Sequence, residues 1–271
     1  MVVLLTGCRS GFGLLAAVEA ARRGHTVYAG LRDVSTADGL LEAAGDLPIR
    51  PVQLDVTDPL QREEVVARIE AEHGALDGLV NNAGIALGGP LEEVSEAGLR
   101  KVFEVNVFGA WALTTRALPA MRAQGRGCVI QVSSMAGRIA LPGLGAYAAS
   151  KFALSGMTES WRAELAPFGV QMVLLEPGPY KTDIFSRNRR VAETPADSPY
   201  RPFIERMEAK AEQWTHRAGD AQDVVDTICD LLAHPSPPWR VTMGPTVHLR
   251  RALRWTLPDR GWEALVRAIV G

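Results

Sequence analysis

The sequence predicts an α/β fold: a single domain over residues 1–271, built on one doubly wound parallel sheet of about seven strands with helices on both faces. Three observations point there. Val2-Val3-Leu4-Leu5 is a short, continuous apolar run, as a parallel strand covered on both faces requires. Strand-like and helical stretches then alternate along the chain, the rhythm of consecutive βαβ units. A glycine-rich turn, with Gly7, Gly11 and Gly13, joins the first strand to the first helix. A chain of 271 residues can bury one sizeable core and need not divide.

Composition narrows the function. The formal net charge is −2, with Lys+Arg 29 against Asp+Glu 31, which gives no bulk electrostatic case for nucleic acid. Cys8, Cys128 and Cys229 are scattered, odd in number and without C-x-x-C spacing. They suit a reducing compartment and neither a disulfide framework nor a zinc site. The five histidines are equally dispersed, so no metal is expected. The chain opens directly into a strand, without a basic segment followed by a cleavable apolar one. No apolar run approaches the ~18–20 residues needed to span a bilayer. The expectation is a cytoplasmic protein with no membrane span.

The first strand runs into Thr6-Gly7-Cys8-Arg9-Ser10-Gly11-Phe12-Gly13 and then a helix from about Leu14 to Arg23, closed by Gly24. Such glycines let the backbone turn sharply and approach a pyrophosphate, while the helix N-terminus presents free N–H groups and a positive dipole end. No Gly-Lys-Ser/Thr follows, which disfavours a triphosphate loop and leaves a dinucleotide site. The second strand is His25–Leu31, followed by a small helix (Thr36–Ala44) and a third strand (Arg50–Leu54). Thr57 or Asp58, in Asp55-Val56-Thr57-Asp58, is placed to cap the helix Pro59–His73. A fourth strand, Leu76–Val80, ends in Asn81-Asn82-Ala83-Gly84.

A long helical stretch, about Ser95–Gln124, carries Asn106 in an apolar interior, where asparagine is locally unfavourable and needs partners. The fifth strand, Gly127–Val132, delivers Ser133 and Ser134 at its carboxyl end, where open α/β sheets bind ligands. Tyr147 and Lys151 stand one turn apart on a helix whose apolar repeat continues through Phe152, Leu154, Met157, Trp161 and Leu165. The sixth strand, Val170–Leu175, precedes Glu176-Pro177-Gly178-Pro179-Tyr180-Lys181-Thr182. Residues 183–217 break the βαβ rhythm with a polar loop and a helical Arg201–Trp214, where a substrate lid would sit; the basic cluster at 187–190 is a solvated face. A helix (Ala221–Leu232), a proline-rich turn and a seventh strand (Arg240–Met243) close the sheet. Residues 235–271 form that strand and an extension, with Trp262, Leu265, Val266 and Ile269 on one side of a helix Asp259–Val270. This last helix either caps the cleft or docks on the body.

Thr-Gly-x-x-x-Gly-x-Gly, Leu54-Asp55-Val56-Thr57-Asp58, Asn81-Asn82-Ala83-Gly84, Ser134 with Tyr147-x-x-x-Lys151, and Pro177-Gly178-x-x-x-Thr182 occur in this order. The set resembles the signatures of the short-chain dehydrogenase/reductases, and the resemblance covers essentially the whole chain. The tail resembles the steroid- and retinol-dehydrogenase-like branch. The resemblance implies a Rossmann-type fold and a dinucleotide held by Thr6, Gly7, Arg9, Ser10, Gly11, Phe12, Gly13, Arg32 and Val56. It implies further contacts from Asp55 to the adenine amino group, from Asn82, Ala83 and Gly84 beside the adenosine ribose, from Pro177 and Gly178 along the nicotinamide, and from Thr182 to its carboxamide or a phosphate. Thirteen residues separate the family's catalytic serine from its tyrosine, which favours Ser134 over Ser133.

By the same resemblance Tyr147 is the general acid/base, Ser134 hydrogen-bonds the reacting oxygen, and Lys151 bonds the nicotinamide ribose. Asn106 sits at a helix kink and holds a water linked to Lys151. An unperturbed phenol ionises near pH ~10, and the Lys151 ammonium is expected to lower that value. Family members commonly pair through the helices matching 95–124 and 146–168, which implies a homodimer or homotetramer; Phe103, Phe108 and Trp111 serve either that surface or the monomer core.

For the cofactor, an acid ~20 residues past the glycines would signal NAD. Asp33 lies near that distance, but the matching position is Leu31, followed by Arg32; with Arg9, a 2′-phosphate is favoured. NADP(H) is therefore expected over NAD(H), with Asp33 capping the next loop. The reading is an NADP-dependent oxidoreductase acting on a small-molecule carbonyl or secondary alcohol. Met135, Ile139, Leu141 and Leu144, with Phe185 and Trp214 in the lid, make the substrate lipophilic. A non-enzymatic dinucleotide-sensing protein of the same fold is the alternative, but such proteins typically lose the tyrosine or lysine. A nucleotide-sugar epimerase or dehydratase would need a larger substrate domain and different glycine spacing.

Overall fold

The computed structural model describes residues 1–181, 189–192, 194–195, 197–216, 218–244 and 247–270, the side chains of 189–191, 211–216, 248–251 and 269–270 excepted. The first half of the sheet is built from β1 (Val2–Thr6), α1 (Gly11–Arg22), β2 (Thr26–Leu31), α2 (Asp38–Ala44) and β3 (Ile49–Gln53). Then come α3 (Pro59–His73), β4 (Gly78–Asn81), β5 (Ala86–Gly88), α4 (Glu96–Phe103), α5 (Ala110–Ala123), β6 (Gly127–Val132), α6 (Gly145–Leu165) and β7 (Val170–Pro177). The last elements are β8 (Arg189–Val191), α7 (Arg201–His216), α8 (Ala221–Ala233), β9 (Arg240–Met243), α9 (Val247–Thr256) and α10 (Asp259–Val270).

Seven strands pair in the order β3-β2-β1-β4-β6-β7-β9, and all the pairings are parallel. The chain moves outward from β1 to β3, crosses back to β4, and moves outward the other way. That reversal opens a crevice beyond the carboxyl ends of β1 and β4, the usual ligand position in such sheets. Successive residues of one strand point to opposite faces. Val3 and Leu5 therefore join Ala16, Ala17, Val225, Ile228 and Cys229 of α1 and α8, while Leu4 joins Val66, Ile69, Leu113 and Met121 of α3 and α5.

The structure departs from the sequence expectation at four points. The first helix begins at Gly11, not Leu14, because Ser10 is extended (φ −162°, ψ 176°) and takes the N-cap position. Of the two residues the sequence offered as its cap, Asp58 caps α3, accepting from the Leu60 and Gln61 amides at 2.8 and 3.2 Å. The long helix expected over 95–124 is α4 and α5 joined by one π-helical turn, Glu104–Gly109. Two further features were not foreseen: a small parallel pair of β5 with β8, and the helix α9. The pair is made by backbone partners about a hundred residues apart, for which a three-residue strand leaves no periodic trace.

Candidate active site

The glycine turn is shaped by what a side chain would strike. Gly7 has φ +74°, and a Cβ there would stand 2.9 Å from the Ala83 Cα. A Cβ on Gly13 would stand 2.3 Å from the Gly7 carbonyl oxygen and 2.5 Å from Asn82 Nδ2. Gly11, φ +59°, opens α1, whose first turn carries no acidic residue, and the Ser10 side chain makes no cap bond. The start of α1 therefore keeps its positive end for an anion. Thr6 and Asn82 tie this turn to β4: Thr6 Oγ1 accepts from the amides of Asn82 (3.0 Å) and Ala83 (2.9 Å), and Asn82 Nδ2 donates to the Thr6 carbonyl at 2.9 Å. Asn81 faces the other way, donating to Thr114 Oγ1 at 2.8 Å within a buried network with Gln131.

One outcome follows directly. Gly13→Ala should cost about 1–3 kcal/mol through overpacking and weaken dinucleotide binding, both read by urea titration and cofactor fluorescence. Gly39→Ala in α2, where a Cβ meets nothing within 4 Å, should instead stabilise by about 0.5–1 kcal/mol.

Arg9 and Arg32 are exposed, and both charges act on the exposed Asp33 between them. Asp33 Oδ1 accepts from Ser35 Oγ at 2.6 Å and the Ser35 amide at 3.0 Å, bonds that hold its carboxyl below the ordinary value. It is occupied as a turn cap, as the sequence implied. Leu31 is buried in the core. Asp55 takes the Thr57 amide and hydroxyl at 2.9 and 2.8 Å; burial works to raise it, but these bonds with the Lys101 and Arg32 charges keep it low. Val56 is buried against Gly109.

The residues nominated as catalytic gather beyond the carboxyl end of β6. Ser133 is buried and turned away, its hydroxyl 3.0 Å from that of Ser155. Ser134 caps the short helical turn Met135–Gly137, accepting from the Ala136 amide at 3.1 Å, and hydrogen-bonds the Tyr147 phenol. Lys151, also buried, donates from Nζ to the Val132 carbonyl at 2.8 Å and lies 5.8 Å from the Tyr147 ring centroid. The structure thus pairs Ser134, not Ser133, with Tyr147.

The charge expectation requires correction. Burial pushes the Tyr147 phenol up to about 12, only partly opposed by the Ser134 bond, and pulls Lys151 down to about 8. The ammonium was expected to lower the phenol, but burial sets the direction, because the helix carries both side chains into the protein interior.

Asn106 lies buried in the π-helical turn. Its Oδ1 accepts from the Ile85 amide at 2.9 Å; its Nδ2 donates to the Ile85 carbonyl at 2.9 Å and to Ser150 Oγ at 3.0 Å. The side chain thereby fastens the segment after Gly84 to α6 at the residue immediately before Lys151. A Cβ on Gly84 would stand 3.4 Å from Asn106 Oδ1 and 3.7 Å from Lys151 Nζ. Sequence reasoning missed Ser150 and the Ile85 backbone; only the position of Ser150 within Tyr147-x-x-x-Lys151 hinted at it. Gly178 donates its amide to the Met243 carbonyl at 2.7 Å, fixing the turn after Pro177 against β9.

Thr182, Phe185, Arg187 and Asn188 lie outside the described residues, as do the side chains of Arg189, Arg190 and Trp214. Of the lid, α7 is described at its start. Tyr200 donates to Glu92 at 2.5 Å and Ser198 to Glu93, bringing Phe203 and Met207 over Gly143. Ile139 is buried, Met135 and Leu144 half-buried nearby. The tail helix α10 packs on α7. Among the described residues no group of three His, Cys, Asp or Glu side chains is placed to hold a metal, and no helix is long and apolar enough to cross a membrane.

Comparison with known proteins gives consistent results. The family model described as short chain dehydrogenase matches residues 1–193. An uncharacterized oxidoreductase, YusZ of Bacillus subtilis, is 36% identical, over 98% of this chain and 97% of its own. The 3-ketodihydrosphingosine reductase of Bacteroides thetaiotaomicron is 32% identical, over 98% and 96%. Among solved structures, a short-chain dehydrogenase from Streptomyces avermitilis superposes with a TM-score of 0.80 at 32% identity, covering 98% of each chain. A serine dehydrogenase complexed with NADP+ follows with 0.77 at 26% identity, covering 91% and 95%.

Proposed function

The chain belongs to the short-chain dehydrogenase family and is an NAD(P)-dependent dehydrogenase/reductase; from that premise we propose that it transfers a hydride between NADP(H) and a carbonyl or secondary alcohol of a lipophilic small molecule, with Tyr147 as general acid/base. The observation that carries this is the Ser134–Tyr147 hydrogen bond beside Lys151 at the carboxyl edge of β6.

The residues fit a dinucleotide. Gly7 and Gly13 leave a cradle that a Cβ would fill, the α1 N-terminus faces it, and Gly84 opens the space in front of Lys151 Nζ. Thr6, Gly7, Arg9, Ser10, Gly11, Phe12, Gly13, Arg32, Asp55, Val56, Asn82, Ala83, Gly84, Pro177, Gly178 and Thr182 would hold it. The nicotinamide, when bound, supplies the hydride. Negative charge then develops on the substrate oxygen, where Ser134 donates a hydrogen bond and Tyr147 delivers the proton. Lys151 provides positive charge next to that proton, and Asn106 holds α6 so that the three groups keep their spacing. A phenol near 12 stays protonated at neutral pH, the state a carbonyl reduction needs.

Arg9 and Arg32 support the NADP preference, as does the NADP+ named for one structural neighbour. Arg9→Ala/Arg32→Ala should weaken NADPH binding roughly 10–100-fold, the loss of one or two charge-assisted bonds, and leave NADH unchanged. Equal losses for both cofactors, measured by titration, would return Asp33 to consideration as a ribose ligand. Ile139, Phe203 and Met207 give the cleft an apolar rim, and the ketone named for the Bacteroides relative is of a sphingoid base. Residues 183–217 act as the substrate lid. Phe108 and Trp111 are about half exposed on the α5 side, which favours a homodimer or homotetramer over monomer packing. Three buried thiols suit a cytoplasmic setting. The test is NADPH turnover by absorbance against steroid, retinoid, quinone, long-chain keto and small keto-ester substrates, with NADH in parallel. Turnover of the small keto-esters alone would remove the lipophilic assignment.

A further inference from the structure

Glu176 precedes Pro177-Gly178 at the end of β7, and its side chain is wholly buried. Arg138 ends the turn that Ser134 caps. Arg138 Nε lies 2.7 Å from Glu176 Oε2, and Thr242 Oγ1 on β9 donates to the same oxygen at 2.9 Å. Arg240 Nε lies 3.8 Å from Oε1, and Arg240 reaches Glu159 on α6 at 3.2 Å. Arg138 Nε meets the carboxylate off its N–H axis, and Oε1 accepts no hydrogen bond among the described residues. Attraction between charges in a dry place, more than aligned bonding, holds the pieces.

A buried ion pair is a poor source of stability, since apolar residues of similar volume often do as well. Its location has another consequence. One partner terminates the serine turn and the other begins the prolyl-glycyl turn, so the pair spans the two loops that flank the reactive centre. We propose that Arg138–Glu176 is a positioning pair that sets Ser134 against Tyr147 by anchoring the serine turn to the end of β7. The kinetic part of this proposal rests on the functional reading above; the anchoring part does not. Misplacing reacting groups by about an ångström can cost on the order of 100-fold in rate.

The test compares wild type with Arg138→Lys, Glu176→Gln and Arg138→Met/Glu176→Gln, the double variant leaving no unpaired buried charge. Hydrogen exchange by mass spectrometry should rise in residues 133–139 of the double variant and stay unchanged in β1 and α3. With a turned-over substrate, kcat should fall roughly 10–100-fold at unchanged NADPH affinity, and Arg138→Lys should recover part of it. Unchanged exchange in 133–139, or a lowered Tm with kcat per folded molecule intact, would overturn the proposal. Tyr147→Phe runs alongside: if wild type reduces nothing in the panel, the functional reading fails while the exchange data still decide the anchor.

Discussion

Tyr147→Phe should abolish turnover while leaving the fold and dinucleotide binding nearly intact. Phenylalanine keeps the ring and its packing on α6 and removes only the hydroxyl that bonds Ser134. General acid catalysis contributes about 10²–10⁴-fold, so kcat should drop by at least two orders of magnitude. The lost neutral hydrogen bond is worth only about 1 kcal/mol to stability. Cofactor affinity by fluorescence and Tm by calorimetry check the second half. Comparable activity in the variant would remove Tyr147 from its role. Because burial holds the phenol near 12, well above its ordinary 10, carbonyl reduction in the wild type should show no fall due to this group between pH 6 and 9.

Lys151→Met should do something less usual: eliminate activity and stabilise the protein at neutral pH. Lys151 falls from 10.5 to about 8 on burial. Between those values the unfolded chain binds more protons than the folded one, so wild-type stability rises with pH through this window. Below pH 8 the full penalty applies, on the order of 3 kcal/mol at about 1.4 kcal/mol per unit. Methionine removes it but also loses the 2.8 Å bond to the Val132 carbonyl, costing about 1–2 kcal/mol. The variant should therefore gain about 1–2 kcal/mol at pH 7 and lose that advantage by pH 10.5. Tyr147 titrates with the opposite sign above pH 10, but does so in both proteins and cancels in the difference. Urea midpoints across pH 7–10.5 measure the effect; a constant difference would mean that Lys151 is not desolvated. Stability sacrificed for a buried cation is what a functional site shows and a plain core does not.

Much of this site was legible in the chain because its parts are local. Thr6–Gly13 states its own turn, since only glycine fits at Gly7 and Gly13, and Tyr147 with Lys151 states a shared helix face. The choice of Ser134 over Ser133 followed from spacing and agrees with the strand pleat that sends Ser133 to Ser155. What spacing could not deliver was solvation. The sign of the Tyr147 shift depends on how much protein covers α6, and that cover comes from distant segments.

The sequence by itself determined the seven-strand parallel architecture, the glycine turn and the shared helix face of Tyr147 and Lys151, because hydrophobic period, glycine placement and i, i+4 geometry are short-range consequences of covalent structure; the nomination of Ser134 came from the family resemblance. Tertiary structure alone decided that the phenol is raised and the lysine lowered, that Asn106 is fastened by Ile85 and Ser150, and that Arg138 meets Glu176. Desolvation and long-range charge pairing depend on which remote residues close over a group, and a linear pattern carries no record of that.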